Sequence, residues 1–288
     1  MKNILITGSN GQLGSSIKKV QIGYEKAQYF FTDVDQLDIT NESQVRDFVA
    51  KNNIEYIINC AAYTAVDKAE EEYELAKKIN VNGPKILAQV AAEYKAAFFH
   101  VSTDYVFDGT SYQPYIEKDY CNPPSAYGKS KLLGEQEVLN YGENAVIIRT
   151  SWLYSEFGHN FFKTMLKYGN ERDELKVVFD QIGTPTYATN LAKGILCMVF
   201  SDIEINGNHI YHFSNEGVCS WYDFAKEIME EAQIDCKITP IESSEYPLPA
   251  PRPFYSVLNK AKIKKDYGIE IIHWRDAMKD CIQALELL

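Results

Sequence analysis

The stretch Lys2-Asn3-Ile4-Leu5-Ile6-Thr7-Gly8-Ser9-Asn10-Gly11-Gln12-Leu13-Gly14 decides the architecture. A short apolar run ending at Thr7 reads as a strand, and Gln12 to Gln21 carries helical spacing, so the glycines fall in the turn between them. Glycine lets a backbone turn sharply and approach a bulky anion. The helix that follows presents free N–H groups and the positive end of its dipole to the same point. The spacing is GxxGxxG rather than the GxGxxG of the general dinucleotide fingerprint. A glycine turn of purely steric origin is the competing reading. Its place between a first strand and a first helix favours pyrophosphate binding.

Outward from this turn the alternation continues. Strand-like runs at Gln28–Thr32, Tyr56–Asn59, Ala97–Val101 and Ala145–Arg149 are separated by helical spacing at Glu42–Lys51, Glu70–Tyr94 and Ser125–Leu139. Gly83-Pro84 marks a possible break in the longest of these. Such alternation implies βαβ units, hence an α/β fold with a doubly wound parallel sheet and helices on both faces. Beyond about residue 150 the rhythm loosens. Asn160–Gly169, Tyr187–Phe200 and Ser220–Ala232 read as helices, with Ser220 as N-cap and Asp223 three positions on. His209–Phe213 reads as a strand, and Pro247 to Pro253 as an ordered loop. The expected division is a dinucleotide-binding domain over 1–150, rejoined by about 186–214. Residues 151–185 and 215–288 then form a smaller cap.

Composition narrows the function. Of 288 residues, 45% are hydrophobic and 24% charged, which excludes a disordered chain. Lys plus Arg is 29 against 40 for Asp plus Glu, giving −11, a poor balance for nucleic acid or anionic membrane. With no run of about 18 apolar residues and no signal-like start, a cytoplasmic protein without membrane contact is expected. The six cysteines include no CxxC pair. They are expected to be reduced thiols and not metal ligands.

Three further patterns carry chemistry. Asp33 lies 19 residues beyond Gly14, near the position of a carboxylate that holds adenosine ribose hydroxyls. It would repel the additional phosphate of NADP, which favours NAD(H) over NADP(H). Asp35 and Asp38 compete for that role, and a solvated strand-end aspartate is the plain reading of each. Tyr127-Gly128-Lys129-Ser130-Lys131 places Tyr127 and Lys131 on one helix face, about 6 Å apart along the axis. An ammonium there would lower the phenol pKa from about 10 and make Tyr127 an acid–base group. Lys129, two positions away, points elsewhere. Finally, His100-Val101-Ser102-Thr103-Asp104 ends a strand in hydroxyls at the sheet edge where α/β proteins bind ligands. Ser102 and Thr103 could bond a substrate carbonyl, or simply make a turn.

These segments, together with Asn59-Cys60-Ala61-Ala62-Tyr63-Thr64-Ala65-Val66-Asp67-Lys68-Ala69-Glu70, Ser102 to Gly109, Arg149 to Tyr154 and Arg252-Pro253, closely resemble the extended short-chain dehydrogenase/reductase family. The resemblance runs over nearly the whole chain. It implies a Rossmann-type domain and hydride transfer from a nicotinamide cofactor to the C4 ketone of a nucleotide-linked deoxysugar. Tyr127 would donate the proton, Lys131 would tune it and hold the nicotinamide ribose, and Thr103 would polarise the ketone. Gly8, Asn10, Gly11, Gln12, Leu13, Gly14, Asp33, Asp38, Ile39, Ala61, Ala62, Tyr63, Thr64, Asn80 and Ser102 would line the cofactor. Thr103, Asp104, Tyr105 and Trp152 would meet the nucleotide sugar, and Arg252 its diphosphate.

The chain departs from the family at Tyr255, where an asparagine is usual, although Ser256 and Leu258 remain. Ser15 and Ser16 stand where some members carry a magnesium-binding glutamate at a dimer contact. Neither metal nor that dimer is expected, and the chain reads as a monomer or weak homodimer. Family dehydratases have two acids after the threonine, whereas Thr103-Asp104 is followed here by Tyr105. An epimerase or dehydratase on the same fold, and a non-catalytic regulatory subunit of similar sequence, are the alternatives.

Overall fold

A computed structural model describes residues 1–286 of the chain. The first half lays down β1 (Lys2–Thr7), α1 (Gln12–Val20), β2 (Ala27–Phe31), α2 (Glu42–Lys51), β3 (Tyr56–Asn59), α3 (Tyr73–Lys77), α4 (Gly83–Glu93), β4 (Ala97–Thr103), α5 (Ala126–Tyr141) and β5 (Ala145–Thr150). The second half adds β6 (Leu153–Tyr154), α6 (Phe161–Glu171), β7 (Glu174–Val178), β8 (Ile182–Gly183), β9 (Thr186–Tyr187), α7 (Ala188–Phe200) and β10 (His209–His212). It closes with β11 (Cys219–Ser220), α8 (Trp221–Glu231), β12 (Lys237–Ile241), α9 (Ala261–Tyr267) and α10 (Trp274–Glu286).

Six strands form the main sheet in the order β10-β5-β4-β3-β1-β2, every pair parallel. A parallel sheet is covered on both faces, and successive side chains alternate between them. Ile4, Ile6, Ile58, Phe99, Val146 and Ile148 accordingly pack against Ile17 of α1 and Leu191 and Ile195 of α7. Leu5, Ile57, Phe98, Ala145 and Ile147 pack on the opposite side against Val45 of α2, Leu87 of α4 and Val138 of α5. The chain leaves β1 for β2 on one side and for β3 on the other. The glycine turn therefore sits at the point where strand order reverses, the usual place for a ligand cleft.

Helix starts follow local chemistry. Asn41, Ser125, Asn160 and Ser220 each accept a first-turn N–H, and Ser220 with Asp223 makes a reciprocal capping box. The expected interruption between Glu70 and Tyr94 lies one turn earlier than Gly83-Pro84. A π-helical turn spans Lys78–Asn82 and runs directly into α4, whose second residue is Pro84.

The cap has its own apolar core, in which Phe162, Leu175, Val177, Phe224, Ile228, Trp274 and Met278 meet. Its parallel pair β7–β12 and the helix α10 are elements that the periodicity did not reveal. The helix α9 is another, and it departs from the expected cap over 215–288, because Ile263 packs in the sheet-side core with Leu191 and Tyr211. No helix among the described residues is long and apolar enough to cross a membrane. The six cysteines are free, and no cluster of metal-ligating side chains occurs among the described residues.

Candidate active site

At the C-terminal edge of the sheet a cavity of about 540 Å³ opens between the sheet and the cap. Its sheet-side wall is built by β4 and α5. Tyr127, Lys131 and Glu135 recur every fourth residue, so they share the face of α5 that lies on β4, and all three are buried. Glu135 is held by four hydrogen bonds. Ser102 Oγ donates to Oε1 at 2.5 Å, Arg149 Nε reaches both oxygens, and Arg149 Nη2 donates to Oε2 at 2.7 Å. Ser102 and Arg149 are register partners on β4 and β5, which places both donors over one carboxylate. A buried charge without such partners would cost several kcal/mol.

Lys131 Nζ donates to the backbone oxygen of Val101 at 2.8 Å. Burial pushes Lys131 down to about 8, while the nearby Glu135 carboxylate opposes the shift. Tyr127 departs from the expectation of a lowered phenol pKa. Burial pushes it up to about 12, the Thr103 hydroxyl pulls it down less, and Asp104 adds to the rise. Lys131 lies one helical turn beyond Tyr127, but its ammonium is engaged with Val101, and burial dominates at the phenol. Tyr127 is thus a phenol that keeps its proton at neutral pH.

Asp104 is buried, with Thr103 Oγ1 donating to its Oδ1 at 3.0 Å. Burial outweighs its hydrogen bonds and lifts it to about 6. Tyr105 meets Tyr127 edge to face, with ring centres 5.6 Å apart. Below the cavity, Thr7 Oγ1 donates to Asn59 Oδ1 at 2.6 Å and Asn59 Nδ2 to His100 Nδ1 at 3.0 Å, tying β1, β3 and β4 together at their ends. Burial and the Lys131 charge keep His100 well below its ordinary value, hence neutral.

The cap-side wall is aromatic. Trp152, at a φ of 46°, lies flat on Trp221 with ring centres 3.6 Å apart. Phe161 leans on the same indole at 4.5 Å. Gly183 is required under Trp152, because a Cβ there would stand 2.6 Å from the indole. Gln12 joins the two walls. Its Oε1 accepts from Ser155 Oγ at 3.1 Å and Asn160 Nδ2 at 2.8 Å.

The glycine turn fits a dinucleotide. A Cβ on Gly8 or Gly14 would lie within 2.6 Å of backbone, which packs the turn tightly under α1. Gly11 caps α1 without a side-chain hydrogen bond, and no acid stands in the first turn, so the N–H groups face outward for an anion. Asp33 Oδ2 accepts the Asn10 N–H at 3.0 Å at the end of β2, placing a carboxylate beside the turn.

Of the expected site residues, Gly11, Gln12, Leu13, Ala62, Thr64, Ser102, Thr103, Asp104, Tyr105, Tyr127, Lys131 and Trp152 line this one cavity. The turn residues Gly8, Asn10 and Gly14, with Asp33, Asp38 and Ala61, do not. Three residues are better explained by structure. Ile39 is a core side chain packed over Gly83. Asn80 spends its amide on Tyr63 N, Tyr63 O and Ser130 Oγ, at 2.8, 3.0 and 2.9 Å, and so holds the Tyr63 loop from behind. The Tyr63 phenol turns away to Glu72. Arg252 is a correction of another kind. Its fork closes on Asp67, Nη1 to Oδ1 at 2.8 Å and Nη2 to Oδ2 at 2.7 Å, instead of standing open for a diphosphate.

The family model described as RmlD substrate binding domain matches residues 1–287. The chain belongs to this RmlD family. It is 40% identical over 289 residues to a dTDP-4-dehydrorhamnose reductase of Aggregatibacter actinomycetemcomitans, covering 97% of this chain and 98% of that one. Among solved structures it is similar to a dTDP-4-dehydrorhamnose reductase from Clostridium acetobutylicum, with TM-score 0.94, 46% identity and 99% of each chain covered. A dTDP-4-dehydrorhamnose reductase from Bacillus anthracis in complex with NADP gives TM-score 0.94 and 38% identity over 99% of this chain and 100% of that one.

Within this RmlD member, Trp221, Phe161, His159 and Phe224 are cavity residues that sequence reasoning missed. They come from α6, α8 and the turn before α6, far along the chain from the motifs. The one local signal was the Ser220 cap, which fixes where α8 begins and so where Trp221 points.

Proposed function

We propose that this protein reduces the C4 ketone of dTDP-4-dehydro-L-rhamnose to give dTDP-L-rhamnose, in nucleotide-sugar supply for surface polysaccharide. The observation that carries the reading is that Thr103, Tyr127 and Lys131 share one cavity with Gly11 and Leu13 of the glycine turn. The reading also draws on the reductase relatives and on a 40% identical spore coat polysaccharide biosynthesis protein of Bacillus subtilis. A reduced nicotinamide dinucleotide would supply the hydride. Gly8 to Gly14 would hold its pyrophosphate, Asp33 its adenosine end, and Ala62, Thr64 and Lys131 its nicotinamide half. Asp33 favours NAD(H), a 38% identical relative is solved in complex with NADP, and both cofactors therefore enter the test.

In this direction the chain must deliver a proton. A phenol near 12 carries one at neutral pH, and the alkoxide formed at C4 is more basic still, so transfer from Tyr127 is downhill. Lys131 then faces the tyrosinate left behind and stabilises it. Thr103 bonds the ketone oxygen and fixes its place relative to Tyr127. Trp152 and Trp221 offer flat apolar surface to the deoxysugar, and Arg252 with Asp67 clasps the Pro247–Pro253 loop onto the sheet domain. Residues 1–150 and about 186–214, with α9 packed on them, act as the dinucleotide domain and the remainder as the sugar cap. The working form is a cytoplasmic monomer or weak homodimer.

The test is addition of dTDP-4-dehydro-L-rhamnose to the enzyme with NADH or NADPH. One cofactor oxidised per sugar, with the reduced sugar identified by mass spectrometry, is expected. Conversion without net oxidation would instead mark an epimerase or dehydratase, and no turnover a non-catalytic subunit.

A further inference from the structure

The Thr103 hydroxyl has one proton and two lone pairs. The proton goes to Asp104 Oδ1, at 3.0 Å, rather than to the neighbouring Tyr127 phenol, and one lone pair takes the Tyr105 N–H, at 3.2 Å. What remains for a molecule in the cavity is a lone pair. A ketone oxygen also carries only lone pairs, so in this arrangement Thr103 cannot polarise it. The second oxygen of Asp104, Oδ2, is buried and has no hydrogen-bond partner among the described residues. Asp104 itself forms part of the cavity wall.

We infer that Asp104 is a positioning residue that sets the direction of the Thr103 hydroxyl. Protonated, it donates to Thr103 Oγ1 and turns the threonine proton toward the substrate ketone. Ionised, it keeps that proton for itself. The inference rests on the ketone reduction proposed above. With a neutral carboxyl the count closes: Oγ1 accepts from Asp104 and from the Tyr105 N–H, and donates once, into the cavity. No proton is consumed at Asp104, and the one added to the alkoxide still comes from Tyr127.

The surroundings suit such a switch. The titratable groups facing the carboxyl are phenols, Tyr127 on α5 and Tyr105 beside it. Behind Tyr105 stand Arg252 and Asp67, paired with each other. Ser256, from the loop after Arg252, stands near enough to favour the ionised form without closing a hydrogen bond to Oδ2, and burial outweighs it. The acid consequently changes state near neutral pH rather than in the ordinary carboxylate range.

The experiment measures kcat against pH with dTDP-4-dehydro-L-rhamnose and NADPH, alongside an infrared titration of the buried carboxylic acid in the wild-type enzyme. Wild-type kcat is expected to fall above about 6, approaching roughly tenfold per pH unit. Asp104→Asn keeps the shape, and its amide donates to Thr103 at every pH, so its profile is expected to be flat over the same range. Thr103→Val is expected to lower kcat and to erase the same ionisation. The protonated-acid band is expected to disappear from the wild type near 6 and to be missing from D104N. A D104N profile with the wild-type limb overturns the inference, as does a limb that persists in T103V or a wild type without the band. A merely structural role would lower the rate and leave the ionisation in place. If D104N does not fold, T103V carries the test. A wild type with no turnover overturns the reading of the reaction and this inference with it. Turnover with an unaltered D104N profile overturns the inference alone.

Discussion

The two walls of the cavity are made of different materials. The sheet wall is directed hydrogen bonds and buried charge, in which Ser102 and Arg149 hold the Glu135 carboxylate and the Val101 carbonyl holds Lys131. The cap wall is packed rings, with Trp152 stacked on Trp221 and Phe161 tilted against Trp221. Proton delivery has to be exact to a fraction of an ångström, and rigid strand ends and one helix face supply that. Holding a deoxysugar needs apolar area and tolerates some sliding. On the proposed reading, the comparison assigns rate to the sheet side and affinity for the sugar to the cap side.

Four substitutions can break or sharpen that division. The largest effect is expected at Tyr127→Phe, which removes the proton and keeps the ring. It lowers kcat by about 10²- to 10⁴-fold, with cofactor affinity by fluorescence titration nearly unchanged. A wild-type rate in this variant would move the acid elsewhere. Next is Glu135→Ala, which strands the buried Arg149 guanidinium and is expected to cost about 3–5 kcal/mol in denaturant unfolding. A cost under 1 kcal/mol, on the order of a surface pair, would mean that the sheet wall does not depend on that charge.

Trp221→Ala tests the cap wall. Losing one partner of a stacked pair, worth about 0.5–1.5 kcal/mol beyond its area, is expected to raise KM for the sugar nucleotide several-fold and to spare kcat. An equal fall in kcat would erase the distinction between the walls. The smallest effect belongs to Asp67→Asn, at the clasp between sheet domain and Pro-rich loop. Asp67 is 37% exposed, so the pair is screened and its loss is expected to cost under about 1 kcal/mol. The Arg252 guanidinium holds the Asp67 carboxyl below its ordinary value. A depressed carboxyl stabilises the fold above the unfolded carboxylate range, and that contribution is lost as pH falls through the folded value. The gap between wild type and D67N is therefore expected at neutral pH and closes in acid.

The same division separates what was legible in the sequence from what was not. The strand-turn-helix at Lys2 to Gly14 and the four-residue spacing of Tyr127 and Lys131 are local facts, and both survive folding. The spacing gave proximity along α5, not the direction of the Lys131 ammonium, and the phenol's raised pKa followed from burial and the nearby Asp104. The cap was opaque for a related reason. β7 and β12 are five-residue strands with exposed charged positions, and each is completed by a partner about sixty residues away. Trp152 reaches Trp221 through a positive φ and a stack that no pattern in either segment encodes. Asp67 and Arg252 are separated by 185 positions, so Arg252 looked free for an anion. Ile39 looked like a contact residue because its motif was read, while its packing over Gly83 was hidden.

The Gln12 side chain has a last consequence. It springs from the first turn of α1, at the pyrophosphate end of the cleft, and its amide is riveted to Leu153, Ser155 and Asn160 in the rim of the sugar chamber. Any inward settling of that turn around a first guest drags the rim with it. One glutamine thus ties the two berths mechanically, and the tie works equally in both directions.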